Sequence, residues 1–255
     1  MPIAIPPTPE ELRAHPVVNR EAWLEARKQH LRNEKALTRM RDMVAAERRR
    51  LPWVKVEKEY VFETRDGKKT LPDLFKGRSQ LVVHHFMLGP GWEAGCPGCS
   101  FAADHAEGAL VHLENHDVAF VRVSRAPLAE IEAYNTRMGW KAEWVSSHDS
   151  DFNYDYHVSF TPEALASGQV TYNYDSHPVS EGTDQMETPG FSVFYKNEEG
   201  SVFHTYSSYA RGNEEVAGAF IYFDMTPKGR NEDSIMEWLR RHDEYESRAA
   251  ERACH

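Results

Sequence analysis

The most constraining feature of the sequence is an apolar segment, Leu81–Leu88, that is interrupted only by the adjacent residues His84 and His85. The segment is too short to cross a bilayer. Nearly continuous apolar runs of this length are typical of central strands that are covered on both faces of a sheet. The segment therefore predicts a layered α/β fold with a buried sheet.

The segments that follow support this architecture. A glycine-rich turn leads into a helical pattern that extends to about Asn115, and Asp117–Val123 predicts a second buried strand. Ala126–Gly139 predicts a second helix, and Ala142–Ser146 predicts a third strand. An alternation of strands and helices indicates parallel strands with helices packed on the faces of the sheet.

The N-terminal part differs in character from the rest of the chain. From Arg20 to Arg50, apolar residues recur at helical spacings among many charges, which predicts one long helix that ends before Pro52. Such a helix packs either across its own domain or against a second subunit, so the sequence is compatible with a homodimer.

The elements predict three parts: an N-terminal extension and helix (1–50), a main domain (51–250) and a short tail (251–255). Within the main domain, residues 147–187 are dense in Asp, Asn, Tyr and His and predict a long insertion with little regular structure. A hairpin from Phe191 to Tyr206 and a last helix from Asp233 to Ala250 follow the insertion.

Charge and composition exclude several classes of partner. The chain has 255 residues and a formal net charge of −10. A negative surface repels nucleic-acid phosphates and anionic lipid, so we expect neither nucleic acid nor a membrane as a partner. We recognise no secretory signal and expect a cytoplasmic location. In that compartment, a close pair of cysteines is more often catalytic or metal-binding than structural.

Cys96 and Cys99 follow the apolar strand and its turn at a spacing of three residues. Pro97 is expected at the first helical position, which makes Cys96 the helix cap. Free N–H groups and the helix dipole then favour the Cys96 thiolate. We therefore predict a thiol–disulfide redox site without a cofactor, in which Cys96 is the nucleophile and Cys99 resolves the mixed disulfide. The expected partner is a disulfide or thiol substrate, either a protein or a small molecule.

The residues around the two cysteines are candidates for substrate contact. Trp92 and Glu93 lie in the turn before Cys96 and are expected, together with Pro97, to shape the pocket. A buried Glu93 would oppose the thiolate through its like charge.

Three other interpretations stay open. The chain could be a non-redox binding module that uses the aromatic insertion as a partner surface. It could be a thiol peroxidase that uses the same nucleophile. A zinc site is the third alternative, in which the two cysteines bind the metal together with histidines from a set of three: His84, His85 and His105.

Two segments carry a resemblance to a known family. The stretch Leu81–Trp92, followed by Cys96-Pro97-Gly98-Cys99-Ser100, resembles the DUF899 family, and so does Asn153–Phe160. That family is classed as thioredoxin-like and is predicted to contain dithiol–disulfide oxidoreductases. The resemblance implies an α/β, thioredoxin-like (peroxiredoxin-like) sandwich with a central mixed sheet, an N-terminal helical extension and a long insertion before the cis-proline strand.

The resemblance also implies roles for two residues after the insertion. Thioredoxin-like proteins place a cis-proline against the active-site cysteines, and Thr188-Pro189 resembles that element. The Pro189 backbone would then face the dithiol and pair with a substrate chain. The alternative is a trans-proline that only begins a strand, because cis bonds are a minority even before proline. Peroxiredoxins resemble the chain near Asp73, but Glu93 occupies the place of the threonine that orients a peroxide in them.

Overall fold

The computed structural model describes residues 7–179 and 186–245. Its helices and strands are, in chain order, α1 (Pro9–Arg13), α2 (Arg20–Arg48), β1 (Val54–Lys55), β2 (Val61–Thr64), β3 (Gly67–Thr70), β4 (Gln80–His85), α3 (Pro97–Glu107), α4 (Leu110–Asn115), β5 (Val118–Ser124), α5 (Leu128–Met138), β6 (Glu143–Ser146), α6 (Phe152–Asp155), α7 (Pro162–Ala166), β7 (Gln169–Tyr172), β8 (Asp175–Pro178), β9 (Gly190–Lys196), β10 (Val202–Tyr209) and α8 (Gly218–Asp224). Short 3-10 helices cover Leu71–Phe75, Ala210–Val216 and His242–Glu244.

Eight of the strands form one mixed sheet in the order β1-β10-β9-β4-β5-β6-β2-β3. Strands β4, β5 and β6 are parallel, whereas β9 pairs antiparallel with the other edge of β4. The order β10-β9-β4-β5, with α3 connecting β4 to β5, is the core arrangement of a thioredoxin-like fold. The predicted thioredoxin-like sandwich with a central mixed sheet is confirmed.

Strand β4 is covered on both faces, as its apolar sequence predicts. Leu81 and Val83 are fully buried in a cluster on one face. Val82 packs on the other face against the buried cluster of Phe120, Ala142 and Phe191. Alternate side chains of a strand point to opposite faces, so a strand without a solvent-facing side needs apolar residues at nearly every position.

The insertion has more regular structure than its sequence predicts. Its described residues form helices α6 and α7 and the β7–β8 hairpin. Phe152 in α6 is fully buried, and its ring packs edge-on against Tyr60 and Phe62 at centroid distances of 5.1 and 5.0 Å. Tyr156 belongs to the same cluster. Because Phe152 and Tyr156 are four residues apart, one helical turn brings both rings onto the same face.

The predicted helix from Asp233 to Ala250 is wrong over its described part. Residues 233–241 run through turns, and only His242–Glu244 forms a 3-10 helix, while residues 246–250 lie outside the described chain. The buried carboxylate of Glu232 accepts hydrogen bonds from the Met236 N–H at 2.9 Å and the Trp238 indole at 3.0 Å. Met236 also has a φ of 60°, a left-handed value that an α-helix does not accommodate.

Helix α2 forms as the sequence predicts, and the Asn19 side chain accepts a hydrogen bond from the Ala22 N–H at its start. Several apolar side chains of α2 remain exposed, among them Leu37, Met40 and Met43, each 53% exposed. The homodimer stays a prediction.

Within residues 7–179 and 186–245, no helix is long and apolar enough to cross a membrane.

The Phe152→Ala substitution tests whether the insertion is part of the main core. We expect it to lower the free energy of unfolding by about 3–5 kcal/mol, because it leaves a cavity among fully buried rings. Urea denaturation measures the change. The exposed Val111→Ala serves as the control and is expected to change stability by less than about 0.5 kcal/mol. A loss below about 1 kcal/mol for Phe152→Ala would show that the insertion is only peripheral.

Candidate active site

Cys96 sits at the junction between the turn after β4 and the start of α3. Its backbone N–H donates to the Met87 carbonyl at 3.1 Å, and its own carbonyl accepts from the Ser100 N–H at 2.9 Å. Cys96 is the N-cap residue and Pro97 is the first residue of the helix. This local geometry is the one that the position of proline predicts.

The two cysteines are neighbours with different environments. Cys96 and Cys99 lie 4.1 Å apart, and both thiols are free. Cys96 is half-buried, whereas Cys99 is only 3% exposed and its sulfur accepts a hydrogen bond from the Met87 N–H at 3.5 Å. One sulfur is therefore available to a reagent, and the other lies directly behind it.

The pKa values of the two thiols shift in opposite directions. The Cys99 thiol, which donates to the Cys96 sulfur, lowers the pKa of Cys96 to about 6 against the opposing effect of burial. The backbone N–H groups of Cys99 and Gly98 and the charge of Arg241 act in the same direction. The same hydrogen bond, together with burial, raises the pKa of Cys99 well above its usual range. At neutral pH the outer residue is a thiolate and the inner residue is a thiol.

Arg241 reaches the cysteine turn from the far end of the described chain. Its guanidinium donates two hydrogen bonds to the Gly95 carbonyl, at 2.9 and 2.7 Å, and pairs with Glu244 at 2.7 Å. The positive charge therefore stands beside Cys96. Sequence reasoning missed Arg241, because no local signal connects it to a motif so far away in the chain.

A cavity of about 270 Å³ opens beside the two sulfurs. Its floor comes from β4, α3 and the start of β9, and its opposite wall comes from the segments after β10. Sequence reasoning missed that wall as well. Most of the side chains that line the cavity are apolar; the lining residues are His84, Cys96, Gly98, Cys99, Phe101, Ala102, Pro189, Phe191, Ala210, Arg211, Asn213, Glu214, Ala217, Phe220, Ile235 and Met236.

Comparison with known protein families assigns the chain to one of them. The model of DUF899, described as a bacterial protein of unknown function, matches residues 12–245. The chain belongs to the DUF899 family. Among proteins with curated descriptions, none matches this DUF899 protein.

Several solved structures resemble the DUF899 protein at low sequence identity. The bacterioferritin comigratory protein of Xanthomonas campestris is 12% identical with a TM-score of 0.43, covering 62% of this chain and 86% of its own. A mutant of Xylella fastidiosa PrxQ is 14% identical with a TM-score of 0.40, covering 64% and 88%. The peroxidoxin BcpB of Mycobacterium tuberculosis is 12% identical with a TM-score of 0.39, covering 65% and 93%. Similarities at this level say nothing about the activity of the DUF899 protein.

Of the five residues predicted to contact substrate in the DUF899 protein, Pro189 lines the cavity. Trp92 is half-buried and packs over Gly89, Glu93 is exposed, and the Thr188 N–H donates to the Val158 carbonyl at 2.8 Å. Over the described chain, the lining of the cavity does not include Trp92, Glu93, Pro97 or Thr188. Substrate contact by these four residues stays a prediction.

The cis-proline that the resemblance implies at Pro189 is not found, and the alternative, a trans-proline before the strand, holds, since the residues that the structure describes contain no cis peptide bond. Trans is the more stable isomer before proline by about 0.5–1 kcal/mol, and tertiary contacts are needed to override it. Here the Tyr172 hydroxyl donates to the Pro189 carbonyl at 2.7 Å. That carbonyl, which the resemblance assigned to a substrate chain, therefore already has a partner within the protein.

The histidines proposed as zinc ligands have other roles in the DUF899 protein. His84 stacks on Phe191 at a centroid distance of 4.4 Å, and His85 shares a hydrogen bond of 2.7 Å with the Ser192 hydroxyl. The ring of His105 bonds to the Phe101 carbonyl at 2.7 Å and to the Ala219 N–H at 3.1 Å. Over the described part of the chain, no group of three or more His, Cys, Asp or Glu side chains is placed to hold a metal ion.

We predict that Cys96 titrates with a pKa of about 6 and that this value depends on the neighbouring thiol. Cys99→Ala removes the hydrogen-bond donor and should raise the pKa of Cys96, because that bond is the largest stabiliser of the thiolate. Cys99→Ser keeps a hydroxyl donor and should raise the pKa less. The rate of Cys96 alkylation by iodoacetamide as a function of pH, followed by mass spectrometry, measures all three values. Equal pKa values in the two variants would exclude the hydrogen bond as the cause.

Proposed function

We propose that the protein is a thiol–disulfide oxidoreductase in which Cys96 is the nucleophile and Cys99 is the resolving thiol. One observation carries the proposal: two free thiols lie 4.1 Å apart beside a cavity, with the pKa lowered for the half-buried one and raised for the buried one. A nucleophile must be a thiolate before attack, and a resolving thiol must keep its proton until the mixed disulfide has formed.

The reaction proceeds in two exchanges. The Cys96 thiolate attacks one sulfur of a substrate disulfide, which forms a bond to that sulfur and expels the other as a thiolate. Cys99 then loses its proton, attacks the Cys96 sulfur and expels the second substrate thiolate. The substrate gains two electrons as two thiols, and the protein loses two electrons as a Cys96–Cys99 disulfide. A thiol donor restores the dithiol through the reverse exchanges.

Two features favour this reaction over the alternatives. A binding module has no need for a thiol whose pKa is lowered to about 6. A peroxidase also benefits from a cation beside the thiolate, which Arg241 supplies, but Glu93 stands where peroxiredoxins have the threonine that orients a peroxide, and the arginines on and after β5 are held elsewhere. Arg122 pairs with Glu107 at 2.6 Å, and Arg125 pairs with Glu187 at 2.7 Å.

The substitution Cys99→Ser tests the assignment of the two roles. We expect the variant to accumulate a mixed disulfide at Cys96, because the attack succeeds and the thiol that releases the product is missing. The matched variant Cys96→Ser should form no adduct at the site. Both are made with Cys254→Ser, so that only one thiol remains, and are treated with oxidised glutathione before intact-mass analysis. If the adduct formed only on the variant that retains Cys99, the two roles would be reversed.

The wild-type pair provides the complementary measurement. We expect a Cys96–Cys99 disulfide that forms and breaks reversibly when the protein is equilibrated across a range of glutathione redox ratios. Differential alkylation followed by mass spectrometry determines the oxidised fraction. Thiols that stayed reduced at every ratio would contradict an oxidoreductase and favour the binding module.

A further inference from the structure

The cavity beside Cys96 is apolar over most of its surface. Phe101, Phe191 and Phe220 contribute aromatic rings to it, and Ile235 and Met236 add aliphatic side chains. Its volume of about 270 Å³ corresponds to the small end of the pockets that bind small molecules. An apolar wall favours an apolar ligand, because transfer from water into such a site is favourable for each buried carbon.

The described lining of the cavity offers no unpaired charge other than the Cys96 thiolate. Arg211 and Glu214 are the charged side chains of the wall, and they pair with each other through bonds of 2.8 and 3.2 Å. Glu214 also pairs with Arg230 at 2.8 Å. Burial lowers the pKa of His84 well below its usual range, so its ring is neutral. The thiolate therefore repels anionic ligands, and the cation beside it, Arg241, is already paired with Glu244 at 2.7 Å.

Two polar atoms of the wall lack a partner in the described part of the chain. They are Nδ1 of His84 and Oδ1 of Asn213, and both are buried. A buried polar atom without a hydrogen bond is costly, and a ligand with a small polar group can remove that cost. The site thus accommodates an apolar body that carries a hydroxyl or amide group.

The opposite wall also limits the size of a substrate. Ala210, Ala217 and Phe220, with Ile235 and Met236, line the same cavity as Cys96. The Met236 sulfur lies 3.6 Å from the position that a Cβ on Gly98 would occupy, directly over the cysteine turn. A half-buried sulfur beside these side chains is reached more easily by a small disulfide than by one on a folded protein.

We infer that the cavity binds the apolar part of an uncharged, low-molecular-weight disulfide and presents one of its sulfurs to Cys96. The inference rests on the proposed function and adds the class of substrate to it. Each turnover converts one such disulfide into two uncharged thiols and oxidises the Cys96–Cys99 pair. A dithiol, or two molecules of a monothiol, then reduces the Cys96–Cys99 disulfide and is itself oxidised to a disulfide.

Three dialkyl disulfides of similar length test the inference on the full chain. They are dibutyl disulfide, bis(3-hydroxypropyl) disulfide and the dianion 3,3′-dithiodipropionate. Their sulfurs are electronically alike, so differences in the rate of Cys96 modification report on the cavity. Each rate is divided by the rate with methyl methanethiosulfonate, a small reagent that reports the reactivity of the thiolate itself. We expect both uncharged compounds to react about tenfold faster than the dianion or more, because each buried methylene favours the complex about fourfold and the hydroxyl of the hydroxypropyl compound can bond to the unpaired atoms of the lining.

Two variants connect the preference to the cavity. Ala102→Phe fills the space from α3, and Ile235→Asp places a charge at an exposed position of the opposite wall. Either variant should reduce the normalised preference for dibutyl disulfide over the dianion by about tenfold, since each removes the favourable burial of the butyl group. Val111→Phe adds the same ring at an exposed position on α4 and should retain the preference. Ile235→Asp keeps the test valid if Ala102→Phe fails to fold.

The outcomes separate the two proposals. A preference for the butyl compound that both wall variants abolish supports the inference. Equal normalised rates for all three disulfides, or faster reaction with the disulfides of native insulin, would overturn the inference and leave the oxidoreductase intact. A Cys96 thiol that reacts with methyl methanethiosulfonate no faster than a free cysteine would overturn the proposed function itself.

Discussion

Hydrogen bonding along both edges of β4 positions the site. Residues Gln80–His85 pair with β5 on one side and with β9 on the other, so the end of β4 is held between two strands. On one side the chain continues into the turn whose last residue, Cys96, donates to the Met87 carbonyl. On the other side His85 pairs with Gly190, which brings Pro189 to the same edge of the sheet. Cys96 and Pro189 line the same cavity because the turn after β4 and the start of β9 lie at this edge of the sheet.

The close packing at the start of β9 requires glycine at position 190. A Cβ at Gly190 would lie 2.7 Å from a ring carbon of Tyr209, closer than two carbons can approach. The Tyr209 hydroxyl in turn donates to the Tyr156 carbonyl at 3.0 Å. The start of β9 is thereby packed against the insertion, and the described residues of the insertion support one side of the site without lining the cavity.

The chemistry of the site follows from a difference in burial between two residues one helical turn apart. A single hydrogen bond between the thiols lowers the pKa of Cys96 and raises that of Cys99. With a pKa of about 6 for Cys96, roughly ten molecules hold the thiolate at pH 7 for every molecule that holds the thiol. Stabilisation of the thiolate also stabilises the reduced pair relative to its disulfide, which makes the disulfide easier to reduce.

Local patterns predicted the sheet, the helix cap and the position of the two cysteines, because strand burial and capping depend on neighbouring residues. The C-terminal part could not be predicted in the same way. There the buried Glu232 binds the N–H of Met236 and breaks a helical pattern that the sequence favours. Arg241 bonds to Gly95 across 146 positions of sequence. The Arg241 contact has no sequence signature, because it depends on how the finished fold brings distant segments together. The Glu232 contact is local, four residues apart, but whether a carboxylate at that spacing bonds to a backbone N–H or continues a helix depends on the burial of Glu232 in the finished fold.

The distance in sequence between Arg241 and Gly95 has a consequence for synthesis. The ribosome makes β4, the cysteine turn and α3 long before it makes the residues that complete the electrostatic environment of Cys96. A growing chain therefore carries a thiol without the neighbouring guanidinium and without the opposite wall of the cavity. The Cys96 thiol reaches its final pKa only after the residues up to Arg241 have been made and have folded, because the Arg241 charge contributes to lowering that pKa.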